Sequence, residues 1–387
     1  MTSEERGGAE YANVDLLAAL GARGARSVLI TNQPALAVGT QVRVRVIDLG
    51  PKLGRHTVPR VALCTPRNLA RLARALRAEA PLDATLVHFK KEQLLTALLP
   101  RRLTGRVVWA EWGPLPAEFR CGPARLIYVA AARRAARILA VSEGTARTVV
   151  DAGVPINRVD VVPGLASTEL IERDAAARIA QRADWGVGPS TFVIGCMARL
   201  HGKKRTDVVV DALRYLDGEV LLVIAGEGDQ EAALRQRAAQ HGQRVRFIGA
   251  PRGWADRMLS ACDVFAYAPS PTEGRPRSLV MAQLAGLPVV ATAAEGLGRV
   301  VADGAGAVAA APNDPRAYAA LLRVYRDDPE RRRREGEAAC ASALAHHDPE
   351  GTVDHVMAAL AGMAPQVMRN GPGSPEQFGH SCLGHQT

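Results

Sequence analysis

Short apolar runs separated by helical patterns recur along the whole chain, and the alternation runs through twice. Arg26–Thr31, Gln41–Leu49, Asp83–Phe89, Arg106–Ala110, Ile138–Val141 and Val159–Val162 read as strands, closed by Pro163-Gly164. After a crossover from Thr168 to Ser190 come Phe192–Cys196, Val220–Ala225, Val245–Ile248, Val264–Tyr267 and Val289–Thr292. Helical patterns cover Val14–Leu20 (closed by Gly21), Pro66–Ala80, Lys91–Leu99, Pro315–Tyr325 and Pro329–His346. In Pro66–Ala80 the residues Leu69, Leu72, Ala73 and Leu76 share one face. Strands that alternate with helices form parallel sheets, and continuous apolar strands are those covered on both faces. The expected fold class is therefore α/β: two doubly wound, Rossmann-like domains facing a cleft. The expected boundaries are 1–167 for the first domain and 168–347 for the second. A C-terminal helix over 348–363 is expected to pack back toward the first domain. Residues 364–387, rich in Gly, Pro, Ser, Gln and His, read as a disordered tail.

At 387 residues the chain has room for two cores. Its net charge of +10 favours an anionic partner, although an Ala/Arg/Gly/Pro bias throughout weakens that clue. Only five lysines occur, Lys52, Lys90, Lys91, Lys203 and Lys204. Aromatic residues make up 4%, too few for a stacking platform, so nucleic acid is not an expected partner. Six scattered cysteines form no C-x-x-C pair, which argues against a zinc site or a disulfide framework and fits a reducing cytoplasm. The N-terminus shows no signal-peptide pattern. No apolar run approaches the ~18 residues of a membrane span. The expected setting is cytoplasmic, with peripheral membrane contact left open.

Ligands of open α/β sheets bind beyond the carboxyl ends of the strands, so residues just after each strand carry the chemistry. Arg199, Lys203 and Lys204 follow the strand ending near Cys196. Arginine grips phosphate oxygens bidentately and lysine supplies a point charge; the plain alternative is a loop of solvated cations. Gly226 and Gly249 end the next two strands, where glycine lets another group approach the backbone and also serves tight turns. Glu273 lies between the strand Val264–Tyr267 and a helix starting near Arg277, whose free N–H groups suit an anion. Ser270 or Thr272 is the expected cap of that helix. Gly7-Gly8 precedes the first helix and is a further place for phosphate or sugar. His88, at a strand end beside Lys90 and Lys91, reads either as a structural histidine or as a cleft residue.

In this order the residues resemble the family 4 glycosyltransferases, over most of the chain from Gly7 to about Met363. The carriers are G-G-A-E-Y from Gly7, V-S-E-G-T from Val141, V-V-P-G from Val161, A-R-L-H-G-K-K from Ala198 and P-S-P-T-E-G followed by A-G-L-P-V-V-A-T. The resemblance implies the two-domain GT-B fold and transfer of a sugar from a nucleotide-diphosphate donor with retention of configuration. It places the diphosphate on Arg199 and Lys204, the donor sugar on Glu273 and its neighbour Gly274, and the glycine loop at Gly7 and Gly8. Gly226, Gly249 and Arg277 complete the expected donor side, with Arg199, Lys204 and Glu273 as the catalytic set. The first domain takes the acceptor, with His88, Glu111 and Trp112 on that side. No metal and no cofactor are expected beyond the sugar nucleotide itself.

Three departures stand out. The second glutamate of the family's Glu-x7-Glu pair falls on Met281, and a thioether is a poor acceptor for ribose hydroxyls. Trp112 stands where the family often carries a histidine. A family chain normally has a strand before the glycine loop; this one begins almost at Gly7, so either its start is misassigned or the sheet lacks its central first strand. The expected function is hexosyltransferase-like transfer to an unidentified hydroxyl on a natural product, lipid or glycan. The alternative is a catalytically weak or silent binding relative. An epimerase or phosphorylase of the same architecture ranks below both, for want of paired catalytic groups.

Overall fold

The computed structural model describes residues 8–54, 56–162, 171, 173–249, 255–270, 276–293, 297, 301, 304–309, 313–346 and 348–363. The first half carries α1 (Gly8–Ala22), β1 (Val28–Thr31), β2 (Arg43–Val46), α2 (Val58–Ala78), β3 (Ala84–Val87), α3 (Lys90–Ala97), α4 (Arg101–Thr104), β4 (Arg106–Glu111), α5 (Gly122–Ala132), β5 (Arg137–Ala140), α6 (Glu143–Asp151) and β6 (Val159–Val161). The second half runs through α7 (Ala175–Asp184), β7 (Phe192–Met197), α8 (Thr206–Ala212), β8 (Val220–Ala225), α9 (Glu231–Ala238), β9 (Val245–Phe247), α10 (Ala255–Ala261), β10 (Val264–Tyr267), α11 (Arg277–Leu284), β11 (Val289–Thr292) and β12 (Gly306–Ala309). It ends in α12 (Pro315–Asp327), α13 (Pro329–His346) and α14 (Pro349–Ala361).

Every strand pair is parallel, and the second half forms one sheet in the order β12-β11-β10-β7-β8-β9. The inner strands β7, β8, β10 and β11 are almost wholly buried because helices cover both faces, as continuous apolar runs require. β7 is the pivot: the chain steps outward through β8 and β9, then returns to the other side of β7 as β10. The crevice beyond the ends of β7 and β10 is thus the topological switch point, where open sheets of this kind hold ligands.

In the first half the strands fall into two separate sheets, β1-β2 and β3-β4-β5-β6. One continuous core joins the halves: Leu16 and Leu20 of α1 meet Val108 and Leu139 of the first half, and Phe265, Tyr267 and Leu279 of the second. α14 returns to pack on β3, β4 and α1, placing Val353, Val356 and Ala359 in the same core.

Some boundaries move from the sequence reading. α1 starts at Gly8 and runs past Gly21 rather than stopping there. α2 starts at Val58, with Pro59 in its first turn, and encloses Pro66, which had read as the helix start.

Candidate functional site

Four loops meet at the switch point. The loop after β7 carries Arg199 and turns through Gly202–Lys204. The loop after β8 is laced to it backbone to backbone: Leu200 N donates to Glu227 O at 2.9 Å and Gln230 N to Leu200 O at 2.9 Å. The loop after β10 is tied in by Ser270 N donating to Lys203 O at 2.8 Å. The end of β11 joins through the Thr292 hydroxyl, which donates to Pro269 O at 2.8 Å. The basic pair is thereby held by backbone geometry instead of trailing into solvent.

Lys204 is the residue that spans the crevice. Its Nζ donates to the Tyr267 hydroxyl at 3.0 Å and stands 5.7 Å from the centre of that ring. Tyr267 is the last residue of β10 and is buried. A side chain from the β7 loop thus reaches the end of the neighbouring strand across the switch point. Next in the chain, Arg205 sits at φ +47°, a left-handed conformation that a non-glycine residue rarely adopts. Its guanidinium pairs with Asp207, which turns the chain into α8 and leaves Lys204 at the bend.

The expected roles of Gly226 and Gly249 take a different physical form. Gly226 N donates to Gly249 O at 2.7 Å. A Cβ on Gly226 would stand 1.8 Å from Ala198 O, and one on Gly228 2.2 Å from Leu200 O. What approaches these backbones is the Arg199 loop, so the glycines position that loop. Gly249, at φ +67°, makes the turn that presents its carbonyl.

The two halves touch at the start of α11. Arg277 Nη1 lies 2.5 Å from Asp15 Oδ2 of α1, and both side chains are largely buried. The position of a Cβ on Gly8 would be 3.7 Å from Arg277 Cβ. Two expected donor-side positions, Gly8 and Arg277, are therefore neighbours. Gly8 is the first residue of α1 and not a loop residue before it. α11 begins after Pro276 with no side-chain cap, so Ser270 is not the expected cap. Met281 is 5% exposed and packs in the shared core. Gly7, Thr272, Glu273 and Gly274 lie outside the described residues.

On the first-half side, Glu111 ends β4 as a buried carboxylate with several partners. Lys90 Nζ donates to it, as do Gln93 Nε2 at 3.1 Å and the Tyr128 hydroxyl at 3.0 Å. Burial lowers the Lys90 pKa and Glu111 pulls it back up. Burial first, then the charge of Glu111 and its hydrogen bond, hold the Tyr128 phenol well above its ordinary range. His88 Nδ1 is 3.2 Å from Asn13 Nδ2, while its Nε2 is shielded from solvent without a hydrogen-bond partner. Burial, followed by the positive charges around it, Lys52 and Lys90 among them, holds His88 well below the ordinary histidine range. The Trp112 indole N–H is likewise buried without a partner. Glu111 is thus fully engaged by protein groups, whereas His88 and Trp112 each keep one unmet polar atom.

The family described as Glycosyltransferase Family 4 matches residues 6–170, and that described as Glycosyl transferases group 1 matches residues 177–341. Between them they take in both halves and the switch-point loops. The chain belongs to glycosyltransferase family 4. Its relatives include a D-inositol 3-phosphate glycosyltransferase of Xylanimonas cellulosilytica, 34% identical over 49% of this chain and 48% of that protein. A 2-deoxystreptamine glucosyltransferase of Streptomyces kanamyceticus is 28% identical over 51% of this chain and 53% of that one. The matches span about half the length of these curated relatives. Among solved structures, Anabaena HepE in complex with UDP and glucose superimposes with a TM-score of 0.76 at 21% identity, over 94% of this chain and 99% of that one. WaaG, a glycosyltransferase involved in lipopolysaccharide biosynthesis, follows the same path with a TM-score of 0.66 at 19% identity, over 91% and 97% of the two chains. These likenesses establish the GT-B fold, with its two Rossmann-like domains.

The sequence alone carries no signal for several of the partners at this crevice and on the first-half side. Tyr267 read only as the end of a buried strand, and its hydroxyl as the seat of Lys204 depends on the β7–β10 pairing. Asp15, Asn13, Gln93 and Tyr128 lie within helices and carry no local signal. For Lys90 the only hint was its place beside His88.

Proposed function

We propose that this chain transfers a sugar from a nucleotide-diphosphate donor to a hydroxyl acceptor with retention of configuration. The observation that carries the reading is Lys204 seated on Tyr267 across the switch point, in the same loop as Arg199. An anionic diphosphate at that crevice meets the Lys204 ammonium and the Arg199 guanidinium, both borne on a loop whose backbone is braced by its neighbours. Their positive charge offsets what develops on the diphosphate as the glycosidic bond breaks, an electrostatic contribution that needs no rearrangement at the moment of reaction. Glu273 orients the donor sugar in this reading, and Gly7 and Gly8 give it room at the N-terminus of α1. The acceptor hydroxyl attacks from the face that the leaving group vacates, which accounts for retention without a protein nucleophile. His88 and Trp112, with their unmet polar atoms, line the acceptor side. The relatives named for D-inositol 3-phosphate and 2-deoxystreptamine make polyhydroxylated rings the first acceptors to test. UDP-glucose is the first donor to test, since HepE was solved with UDP and glucose.

The test is Lys204→Ala against the wild type in a donor-turnover assay. The expected result is a fall in kcat/KM of about 100-fold or more, the scale of losing one preorganised charge stabiliser. Unchanged kinetics would remove the diphosphate from this crevice.

A second reading, a donor-binding relative without turnover, is favoured by Met281. A thioether packed in the core offers ribose no strong acceptor. Calorimetric titration with UDP-glucose and GDP-mannose, run beside a product assay over an acceptor panel, separates the two. Donor binding with no product from any acceptor supports the second reading.

A further inference from the structure

A cavity of about 760 Å³ opens at the end of the second-half sheet opposite the switch point. Asp263 and Pro288, which line it, immediately precede β10 and β11, whereas Lys204 and Ser270 sit beyond the opposite ends of β7 and β10. The length of a four-residue strand, ~13 Å, separates the two levels. The cavity therefore shares no residue with the switch-point site.

Its walls are basic. Arg173, Arg178, Arg332 and Arg333 face it, against the carboxylates of Asp263 and Glu337. Those carboxylates are engaged already: Arg178 holds Asp263 at 2.7 Å, and Arg333 holds Glu337 at 2.8 Å and Glu330 at 3.2 Å. Arg173 donates only to the carbonyls of Ser260 and Cys262, and Arg332 to the Tyr325 carbonyl while lying over the Phe192 ring. Neither has a carboxylate partner among the described residues. Burial and then the charge of Arg178 lower the Arg173 pKa, Asp263 pulls it back up, and the charge of Arg332 adds a smaller lowering. The cavity also receives the first turn of α13 at Pro329, whose positive end is partly met by the Asp328 carboxylate, which accepts from Arg331 N at 2.9 Å. The floor is apolar, formed by Leu284, Ala285, Pro288 and Cys340. Two guanidiniums that make no ion pair among the described residues, with Asp263 the nearest carboxylate influence on Arg173, stand above an apolar floor and make a site for a compact anion with a carbon body.

We propose that this cavity binds a small soluble phosphorylated molecule, with Arg173 and Arg332 gripping the phosphate and Leu284 and Pro288 packing its body. Arg173 belongs to the segment joining the two halves, and Arg332 to α13, which leads into the returning α14. A ligand held between them couples the two chain crossings that connect the halves.

The test uses the full chain and inorganic pyrophosphate as probe. Pyrophosphate suits both sites, so isothermal titration should resolve two classes of binding. Lys204→Ala should remove one class, and Arg173→Gln with Arg332→Gln should weaken the other at least tenfold while leaving the first in place. If the double variant titrates like the wild type, the proposal fails, whatever the Lys204 variant does. A measurement on the unmutated chain covers misfolding of the variant: alkylation of Cys340, followed by peptide mass spectrometry. Saturating pyrophosphate should slow it several-fold without affecting the exposed Cys121. An unchanged Cys340 rate, or protection by anionic phospholipid vesicles but not by pyrophosphate, overturns the soluble-ligand site.

Discussion

Gly226 shows how a single residue ties stability to the donor crevice. It sits at φ +151° with Ala198 O where a Cβ would be. Gly218, at φ +79°, has nothing within 4 Å of the same position. Gly218→Ala therefore meets only the backbone penalty, about 1–3 kcal/mol. Gly226→Ala adds displacement of the loop that bears Arg199, so its urea midpoint should be the lower of the two. It should also weaken donor binding, which Gly218→Ala should leave intact. Equal midpoints and equal donor affinities would show that the loop contact carries no energy. His88 gives a pH-dependent counterpart. Its folded pKa is depressed by burial, so below the ordinary value the unfolded chain takes up a proton that the folded chain refuses. Stability then rises with pH through that window and is lost as pH falls from about 6.5 toward the folded value. Between pH 7.5 and 5.5 the contribution is up to about 1.4 kcal/mol. His88→Gln should remove that portion of the pH dependence in paired denaturation curves, and parallel curves would refute it.

At the scale of elements, the second half was largely legible. Val220–Ala225, Val264–Tyr267 and Val289–Thr292 take the bounds their apolar runs predict. Those strands are buried on both faces, so hydrophobicity alone marks their ends. β12 escaped notice because Gly306-Ala-Val-Ala has little strand propensity. Its glycine is there because a Cβ would stand 2.2 Å from Val289 O of the paired strand. α2 was misplaced because Pro66 looked like a first-turn proline, and Pro59 occupies that role instead. In the site, the basic pair and its place after β7 were readable, since position after a strand is a local signal. The partner of Lys204 and the contact between halves were not, because each depends on which elements pack together. That inter-half contact has a direct test. Asp15 of α1 and Arg277 of α11 are 10% and 13% exposed, so removing either leaves the other charge poorly solvated. Asp15→Ala is expected to cost about 1–3 kcal/mol. A double-mutant cycle with Arg277→Ala should return a coupling of at least about 0.5 kcal/mol. Additive single effects would mean that α1 and α11 meet by packing alone.

For the molecule as a whole, the question is whether its halves are separable. The core argues that they are not. Leu16, Val108 and Leu139 from the first half and Phe265, Leu279 and Val280 from the second belong to one buried cluster. α14 belongs to it as well, since Val353, Val356 and Ala359 are 4%, 0% and 1% exposed against β3, β4 and α1. Fully burying a side chain the size of valine contributes about 1.5–3 kcal/mol, so the two valines alone supply a sizeable part of a stability of about 5–15 kcal/mol. The helix is also well made locally, with Asp348 capping it through Gly351 N at 2.9 Å and Gly362 closing it at φ +81°. Two changes of different size separate its packing from its capping. Asp348→Ala should lower stability by about 1 kcal/mol and leave the assembly intact. Ending the chain after residue 347 uncovers the face of β3, β4 and α1 that α14 covers and should abolish cooperative unfolding or drive association. The readouts are the denaturation curve and light scattering of the truncated chain. A truncated chain that stays monomeric, with the wild-type midpoint, would show that the first half is complete without the helix returned to it from the second.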